Sequence, residues 1–132
     1  CIRLGETAEK SGVTACLENM PNLEDFFCRD PYEQDGFVDG VPGMGLTLDI
    51  GHANTTGNLE EFCKIILPKA YHLHIHDNHG KYDEHLPLGK GSINWNKIMP
   101  KIVKEYKGKI IVVEGRNPEE GKKSLEFLRK WF

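Results

Sequence analysis

Short apolar segments alternate with segments of helical period along the whole chain, and this pattern predicts strands that are each followed by a helix. The four strands are expected at 13–17, 46–50, 71–76 and 110–113. Short apolar strands that alternate with amphipathic helices are typical of a parallel sheet covered by helices. The predicted fold class is therefore α/β, with parallel strands alternating with helices in β/α units.

The helices are predicted from apolar residues at intervals of three and four positions, and capping residues indicate where they start. Asn58 is a predicted N-cap, and Asn117 followed by Pro118 is another. The segment 20–45 is rich in Asp, Gly and Pro and is predicted to be loop with a short helix near 31–41, without assigned chemistry. The other helices are expected at 2–11, after Asn58, from Trp95 to the residue before Gly108, and after Asn117.

Histidines are concentrated around the third predicted strand, where five of the six fall within fifteen residues. The strand alternates, so that His72, His74 and His76 point to one face and the apolar residues between them to the other. A loop rich in Asn, Gly and Pro follows and leads to a helix at Trp95. In parallel α/β proteins the loops after the strands carry the active site, so we expect the chemistry here. The alternative interpretation is a solvated histidine-rich loop.

Three of the predicted strands end in an acidic residue, and the fourth carries a histidine. The residues are Glu18, Asp49 and Glu114, with His74 in the remaining strand. If the strands lie side by side, these side chains converge at one edge of the sheet. Carboxylates so close together repel one another unless a cation neutralises them. Three oxygen donors and one imidazole suit Mn²⁺, Mg²⁺ or Co²⁺, with Zn²⁺ as a further candidate.

A second, looser group of polar residues follows the same strands. His52 lies in the predicted loop after Asp49, and Asp83 and His85 form a D-x-H pair in the long loop. Two histidines and an aspartate fit either a second metal ion, typically zinc, or contacts to a substrate. Solvated polar side chains of a loop are the other interpretation.

Composition and charge indicate a single globular domain and count against nucleic-acid-binding and membrane-spanning proteins. A chain of 132 residues with 39% hydrophobic content is long enough for one domain with a core. The net charge of −3 and the absence of a basic cluster count against a nucleic-acid partner. Four cysteines without a CxxC pair predict reduced thiols and a cytoplasmic location, and no apolar run predicts a membrane span. Because the chain begins at Cys1 without a methionine, and the pattern there is typical of the middle of a helix, we expect a fragment.

Five segments in order resemble the xylose isomerase-like (β/α)₈ TIM barrels. They are CLEN at 16–19, LTLDIGHAN at 46–54, HLHIHDN at 72–78, D-x-H-x-P-x-G-x-G-x-I-x-W at 83–95 and VVEGRN at 112–117. That superfamily contains sugar isomerases and epimerases together with endonuclease IV, the nuclease of AP endonuclease family 2. The resemblance implies that residues 1–132 form one partial domain, the C-terminal half (strands 5–8) of a barrel.

Carried over by position, the resemblance makes Glu18, Asp49, His74 and Glu114 the metal ligands. It also makes Glu18 and Glu114 the acid/base pair that moves a proton next to a metal-polarised carbonyl. His52, Asp83 and His85 would contact the substrate in the epimerase branch or bind an additional zinc in the nuclease branch. His72 and His76 lie outside the shared set and receive no role.

The sequence favours a divalent-metal-dependent isomerase or epimerase acting on a sugar or sugar phosphate. The LDIGHAN segment, the G-x-I-x-W ending at Trp95 and the acidic charge support that interpretation. One alternative is a zinc-dependent endonuclease of the endonuclease IV type, cleaving at abasic sites. Another is an inactive metal-binding fragment. Since both lateral edges of a four-stranded sheet would be open, we also expect a homo-oligomer or association with a separate N-terminal half.

Overall fold

The computed structural model describes residues 1–132 and contains one four-stranded sheet in which every neighbouring pair of strands is parallel. The strands are β1 (Ala15–Glu18), β2 (Met44–Asp49), β3 (His72–Ile75) and β4 (Ile110–Val113). Their order in the sheet is their order in the chain. The α/β fold predicted from the sequence is confirmed, and consecutive parallel strands joined by helices are the arrangement found in half of a TIM barrel.

The helices lie between and after the strands, as the alternating pattern predicts. They are α1 (Ile2–Lys10), α2 (Pro31–Val38), α3 (Ile50–Thr55), α4 (Leu59–Ile65), α5 (Trp95–Glu105) and α6 (Pro118–Leu128), with a 3₁₀ turn at Leu67–Lys69. No helix combines the length and the apolar character that crossing a membrane requires.

Helix α3 is the main departure from the predicted elements, because its residues were expected to be loop. It begins directly after β2, where the Asp49 side chain accepts a hydrogen bond from the backbone N–H of His52 at 2.7 Å. Such a cap satisfies one of the free N–H groups at a helix start. Six residues are too few to show an apolar stripe, so the sequence pattern carries no helical signal here.

Smaller corrections concern element boundaries and one cap. Strand β1 begins two residues later than predicted, and Val13 is 59% exposed. Asn58 precedes α4 as predicted, but its side chain accepts no helix N–H. It instead accepts the Thr56 hydroxyl and donates to the Arg29 carbonyl. The predicted cap at Asn117 is present, since its side chain accepts the N–H of Glu120 at 3.0 Å.

The hydrophobic core lies between one face of the sheet and the helices. Leu48 of β2, Leu73 of β3 and Phe62 of α4 are fully buried in it. Helix α5 contributes the apolar stripe predicted from its sequence, in which Trp95, Ile98, Met99 and Ile102 are buried. This packing fixes the outer face of the sheet and leaves the strand ends free to carry polar side chains.

Two buried amide side chains join the carboxyl ends of β1 and β2. Gln34 donates to the carbonyls of Leu17 and Thr47 at 3.0 and 2.9 Å. Asn19 makes a reciprocal pair with the backbone of Asp49, at 2.9 Å to the carbonyl and 2.7 Å from the N–H. Buried hydrogen bonds from side chains to the backbone of two strands restrict how the strands can shift relative to each other. The position of Asp49 relative to β1 is therefore fixed by bonds across the strands.

The lateral edges of the sheet are open, as the sequence predicts. Strand β1 pairs only with β2, and β4 pairs only with β3. Ile110 of β4 is 47% exposed although its strand is the most apolar segment of the chain. Unpaired edges of this kind invite a further strand, so the open edges are compatible with either an oligomer or an additional half of a barrel.

Candidate metal centre

Side chains from all four strand ends meet at the carboxyl edge of the sheet. The Nδ1 atom of His74 lies 3.0 Å from the Oε1 atom of Glu18 and 3.1 Å from that of Glu114. Asp49 joins His74 and Glu114 in a group whose potential ligand atoms lie within 4.8 Å of one another. The convergence predicted from the strand ends is present, and the metal-binding role of these residues remains a prediction.

Asp49 shows why this cluster fits a cation. Its side chain is fully buried. One carboxylate oxygen accepts the His52 N–H, whereas the other, Oδ2, has no hydrogen-bond partner. A buried carboxylate oxygen without a partner is costly, and a directly bound cation would remove that cost. The residues present therefore fit a divalent ion held by oxygen and one imidazole nitrogen.

The charges in this cluster depend strongly on one another. Hydrogen bonds that the His74 ring donates to the carboxylates of Glu114 and Glu18 raise the pKa of His74 to about 10 despite its partial burial. The same bond to His74 lowers the pKa of Glu114, against the opposing effect of burial. A proton on His74 thus offsets part of the negative charge at the strand ends, and a bound cation would compete with that proton.

The second predicted group lies beside the first. The Oδ2 atom of Asp83 is 3.3 Å from the Nε2 atom of His52 and 3.1 Å from that of His85. The other ring nitrogen of His85 is 3.5 Å from Glu114, so the two clusters are in contact. The structure therefore brings the three residues of the second group together, although they come from α3 and from a distant loop.

His76 belongs to this second group, although the family resemblance gives it no role. Its Nε2 atom lies 3.2 Å from the Oδ1 atom of Asp49 and 3.4 Å from the Oδ1 atom of Asp83. Together His52, His76, Asp83 and His85 present ligand atoms within 4.8 Å of one another. The alternation of residues along the strand could have indicated this position, because it places His76 on the same face of the sheet as His74.

The remaining histidines of the stretch lie outside both clusters. His72 stacks near His74, with ring centroids 6.5 Å apart, but it is in neither group of potential ligands. His79 is exposed and pairs with Glu84 at 2.9 Å. The histidine-rich stretch is therefore divided between the two clusters and a solvated tip.

The loop that carries Asp83 and His85 is held at its base by Asp77. This buried carboxylate accepts hydrogen bonds from the backbone N–H groups of Asn78, Gly89 and Ile93 and from the indole N–H of Trp95, at 2.8 to 3.3 Å. The backbones of Asp77 and Leu86 also form an antiparallel bridge. The Asp77 side chain thus holds the start and the end of the loop together.

Burial and charge act in opposite directions on the second group. Burial opposes the charge of His52, but Asp83, Asp49 and the Asn19 carbonyl together raise its pKa to about 9. Burial likewise opposes the charge of Asp83, but the neighbouring histidines lower its pKa to about 2. Groups whose pKa values are shifted this far are common at functional sites.

A family model described as "Xylose isomerase-like TIM barrel" matches residues 3–131. The chain belongs to the xylose isomerase-like TIM-barrel family. Membership accounts for the parallel sheet and for polar side chains collected at its carboxyl edge, which is where such barrels place their active sites.

Two relatives of this xylose isomerase-like chain are uncharacterized proteins of Methanocaldococcus jannaschii. One is 37% identical over 117 residues, covering 89% of this chain and 45% of the relative. The other is 36% identical over 131 residues, covering 96% of this chain and 45% of the relative. The chain therefore spans about half the length of the curated relatives that it matches.

Two solved structures also resemble this chain. A D-tagatose 3-epimerase-like protein superposes with a TM-score of 0.88 at 36% identity, over 98% of this chain and 50% of that protein. The IolI protein, whose structure has a bound zinc atom, superposes with a TM-score of 0.78 at 23% identity, over 99% of this chain and 54% of that protein. The second likeness concerns the fold alone.

Proposed function

We propose that this chain provides the metal-binding half of a divalent-metal-dependent sugar isomerase or epimerase, with a sugar or sugar phosphate as substrate. One observation carries the proposal: His74 faces the carboxylates of Glu18 and Glu114 while the buried Oδ2 atom of Asp49 has no partner. The D-tagatose 3-epimerase-like protein supports the choice of sugar chemistry. Mn²⁺, Mg²⁺ or Co²⁺ is the preferred ion, because oxygen donors predominate, and Zn²⁺ is the alternative.

The four ligands divide between holding the ion and reaching a substrate. Asp49 is fully buried and acts only as a ligand. Glu18 and Glu114 are partly exposed, so an oxygen of either is accessible to a bound molecule. A cation held by these residues would polarise the carbonyl of the substrate. Glu18 and Glu114 then remove and return the proton at the carbon next to that carbonyl, one as base and the other as acid.

The zinc endonuclease is a weaker alternative. It needs positive charge near the strand ends to bind the phosphates of nucleic acid. Arg116, which follows β4, already makes two hydrogen bonds to the carboxylate of Glu120 at 3.0 and 2.7 Å. Lys81 and Lys90 are the exposed lysines of the long loop. Two lysines and one paired arginine form no continuous basic surface.

The test measures the exchange of solvent deuterium into the α carbon of ketoses, which NMR of the ketose detects in the presence of protein loaded with Mg²⁺. Glu114→Gln keeps the side-chain shape and removes its proton-accepting charge, so exchange should fall by a factor on the order of 10² to 10⁴. Circular dichroism checks that the variant stays folded. Glu119→Gln, on an exposed position of α6, is the control and should exchange at the rate of the original chain.

The outcomes separate the three hypotheses. Undiminished exchange in Glu114→Gln contradicts the assignment of this residue. Cleavage of a duplex that contains an abasic site, without exchange on any ketose, favours the nuclease. Metal binding with neither activity favours an inactive metal-binding fragment, or a chain that needs an N-terminal half to act.

A further inference from the structure

Asn19 is a buried residue that makes hydrogen bonds in two directions at the carboxyl edge of the sheet. Its exposed fraction is 0%. Its side chain accepts the N–H of Asp49 at 2.7 Å and donates to the Asp49 carbonyl at 2.9 Å. Its own backbone carbonyl lies 2.8 Å from the Nδ1 atom of His52. Because a carbonyl oxygen can only accept, this Nδ1 carries a proton and donates it.

The side chain of Asn19 takes the place of a further residue of β1. Strand β1 ends at Glu18, which pairs with Thr47, whereas β2 continues to Asp49. The backbone N–H and carbonyl of Asp49 therefore have no partner in the β1 backbone. A side-chain amide offers one acceptor and one donor to these two groups. The backbone of Asn19 is then free to leave the sheet, and its carbonyl reaches the His52 ring.

We infer that Asn19 is a positioning residue, which holds Asp49 and His52 in place relative to Glu18. These three side chains meet, since the Nδ1 atom of His52 lies 3.7 Å from Glu18 and 3.9 Å from Asp49. Asn19 acts only through its neighbours, because it is fully buried and its amide is bonded to Asp49. The effect of Asn19 on a bound ion rests on the proposed function, whereas its effect on His52 does not.

The position of Asp49 is set from both sides of its strand. On one side Asp49 pairs with His74 in the register of β2 and β3, and on the other side it is bonded to Asn19. Asn19 thus determines how far Asp49 lies from Glu18, the proposed ligand that comes from β1. Replacing a residue that orients a metal ligand typically weakens metal binding by about 10-fold to 100-fold.

Gln34 makes a comparable contact without touching a proposed ligand. Its buried amide donates to the carbonyls of Leu17 and Thr47 at 3.0 and 2.9 Å, so it joins the same two strands. If Asn19 only joined these strands, removal of either amide would have the same effects on the site. Gln34→Ala is therefore the matched control for Asn19→Ala.

Proton NMR of the metal-free chain, in the presence of a chelator, follows the ring N–H of His52. A histidine N–H that is bonded to a buried carbonyl exchanges slowly with water and gives a separate low-field signal, which His52→Gln assigns by removing it. In Asn19→Ala this proton should exchange at least about tenfold faster, because the carbonyl of residue 19 is no longer held against the ring. In Gln34→Ala it should exchange at the original rate.

Titration with Mn²⁺ measures the effect on the proposed ligands. Free Mn²⁺ has a strong EPR signal that weakens when the ion binds to protein, so the dissociation constant is obtained without any activity assay. Asn19→Ala should weaken binding by about 10-fold to 100-fold, whereas Gln34→Ala should bind like the original chain. Circular dichroism checks that both variants are folded at the start of the titration.

The outcomes decide the inference whether or not the chain binds an ion. Equal effects of Asn19→Ala and Gln34→Ala, or unchanged exchange of the His52 proton in Asn19→Ala, overturn it. If the original chain binds no Mn²⁺, the proposed function fails, and the exchange of the His52 proton alone decides about Asn19. If the chain binds Mn²⁺ but exchanges no ketose proton, the proposed reaction fails, and both readouts still decide about Asn19.

Asn19→Asp is the second variant if Asn19→Ala fails to fold. It keeps the size of the side chain and the acceptor for the N–H of Asp49, and it loses only the donor to the Asp49 carbonyl. The added negative charge would by itself strengthen the binding of a cation. Weaker binding of Mn²⁺ and faster exchange of the His52 proton in this variant therefore support the positioning role. Equal or stronger binding, or unchanged proton exchange, contradicts it.

Discussion

Asp77 offers the sharpest test of how the loop that carries Asp83 and His85 is held. Its Oδ2 atom accepts the N–H groups of Gly89 and of the Trp95 indole at 2.9 and 2.8 Å. Replacement by asparagine keeps the size of the side chain but puts an NH₂ group on one side. If the NH₂ group takes the place of Oδ2, it faces the N–H groups of Gly89 and of the Trp95 indole. Because all three groups are donors, both hydrogen bonds are lost.

The size of the effect follows from these bonds. A hydrogen bond to a charged group contributes about 1.5 to 3 kcal/mol, so losing two costs about 3 to 6 kcal/mol. That is a large part of the free energy of unfolding of a typical domain, about 5 to 15 kcal/mol. Asp77→Asn should therefore lower the free energy of unfolding by at least about 3 kcal/mol, and the loop should open first.

Urea denaturation in the presence of a chelator measures this loss, with circular dichroism as the signal. Asp39→Asn is the control, because this exposed side chain makes no hydrogen bond, and it should change stability by less than about 0.5 kcal/mol. Trp95→Phe removes one of the two donors that conflict with the new NH₂ group. The free energy of unfolding lost in the double variant should therefore be smaller than the sum of the losses in the two single variants, by about 0.5 to 3 kcal/mol. A loss below about 1 kcal/mol in Asp77→Asn would refute the proposed role of Asp77.

Two further predictions follow from the clusters. Carboxylates raise the pKa of His74 to about 10 and that of His52 to about 9. Both groups stabilise the metal-free fold fully below their unfolded pKa of about 6.5, and this contribution is lost as the pH rises through 9 to 10. Urea titrations in chelator at several pH values should show that decline, and stability that rises over this range would contradict it. Gly51→Ala places a methyl group against the His76 ring and should lower the free energy of unfolding by about 1 to 3 kcal/mol. Gly36→Ala, which meets open space within α2, should not destabilise, and equal stability of the two variants would exclude the close contact as the cause.

The order of elements could be predicted from local pattern alone. The four strands, the stripe of helix α5 and the cap at Asn117 depend on residues near one another in the chain, and each matches the sequence prediction. The boundaries that moved, such as the start of β1, depend on pairing with a neighbouring strand. Helix α3 depends on a cap at Asp49 and on packing, and six residues are too short for periodicity to reveal it.

The convergence of Glu18, Asp49, His74 and Glu114 was also predictable, because parallel strands bring their carboxyl ends to one edge. The sequence by itself thus determined the kind of sheet, its family and the residues at that edge. Only the tertiary structure decided which of these groups are buried and unpaired. It added His76 to the second cluster, because burial, the space above Gly51 and the path of the loop closed by Asp77 depend on contacts between residues far apart in the chain.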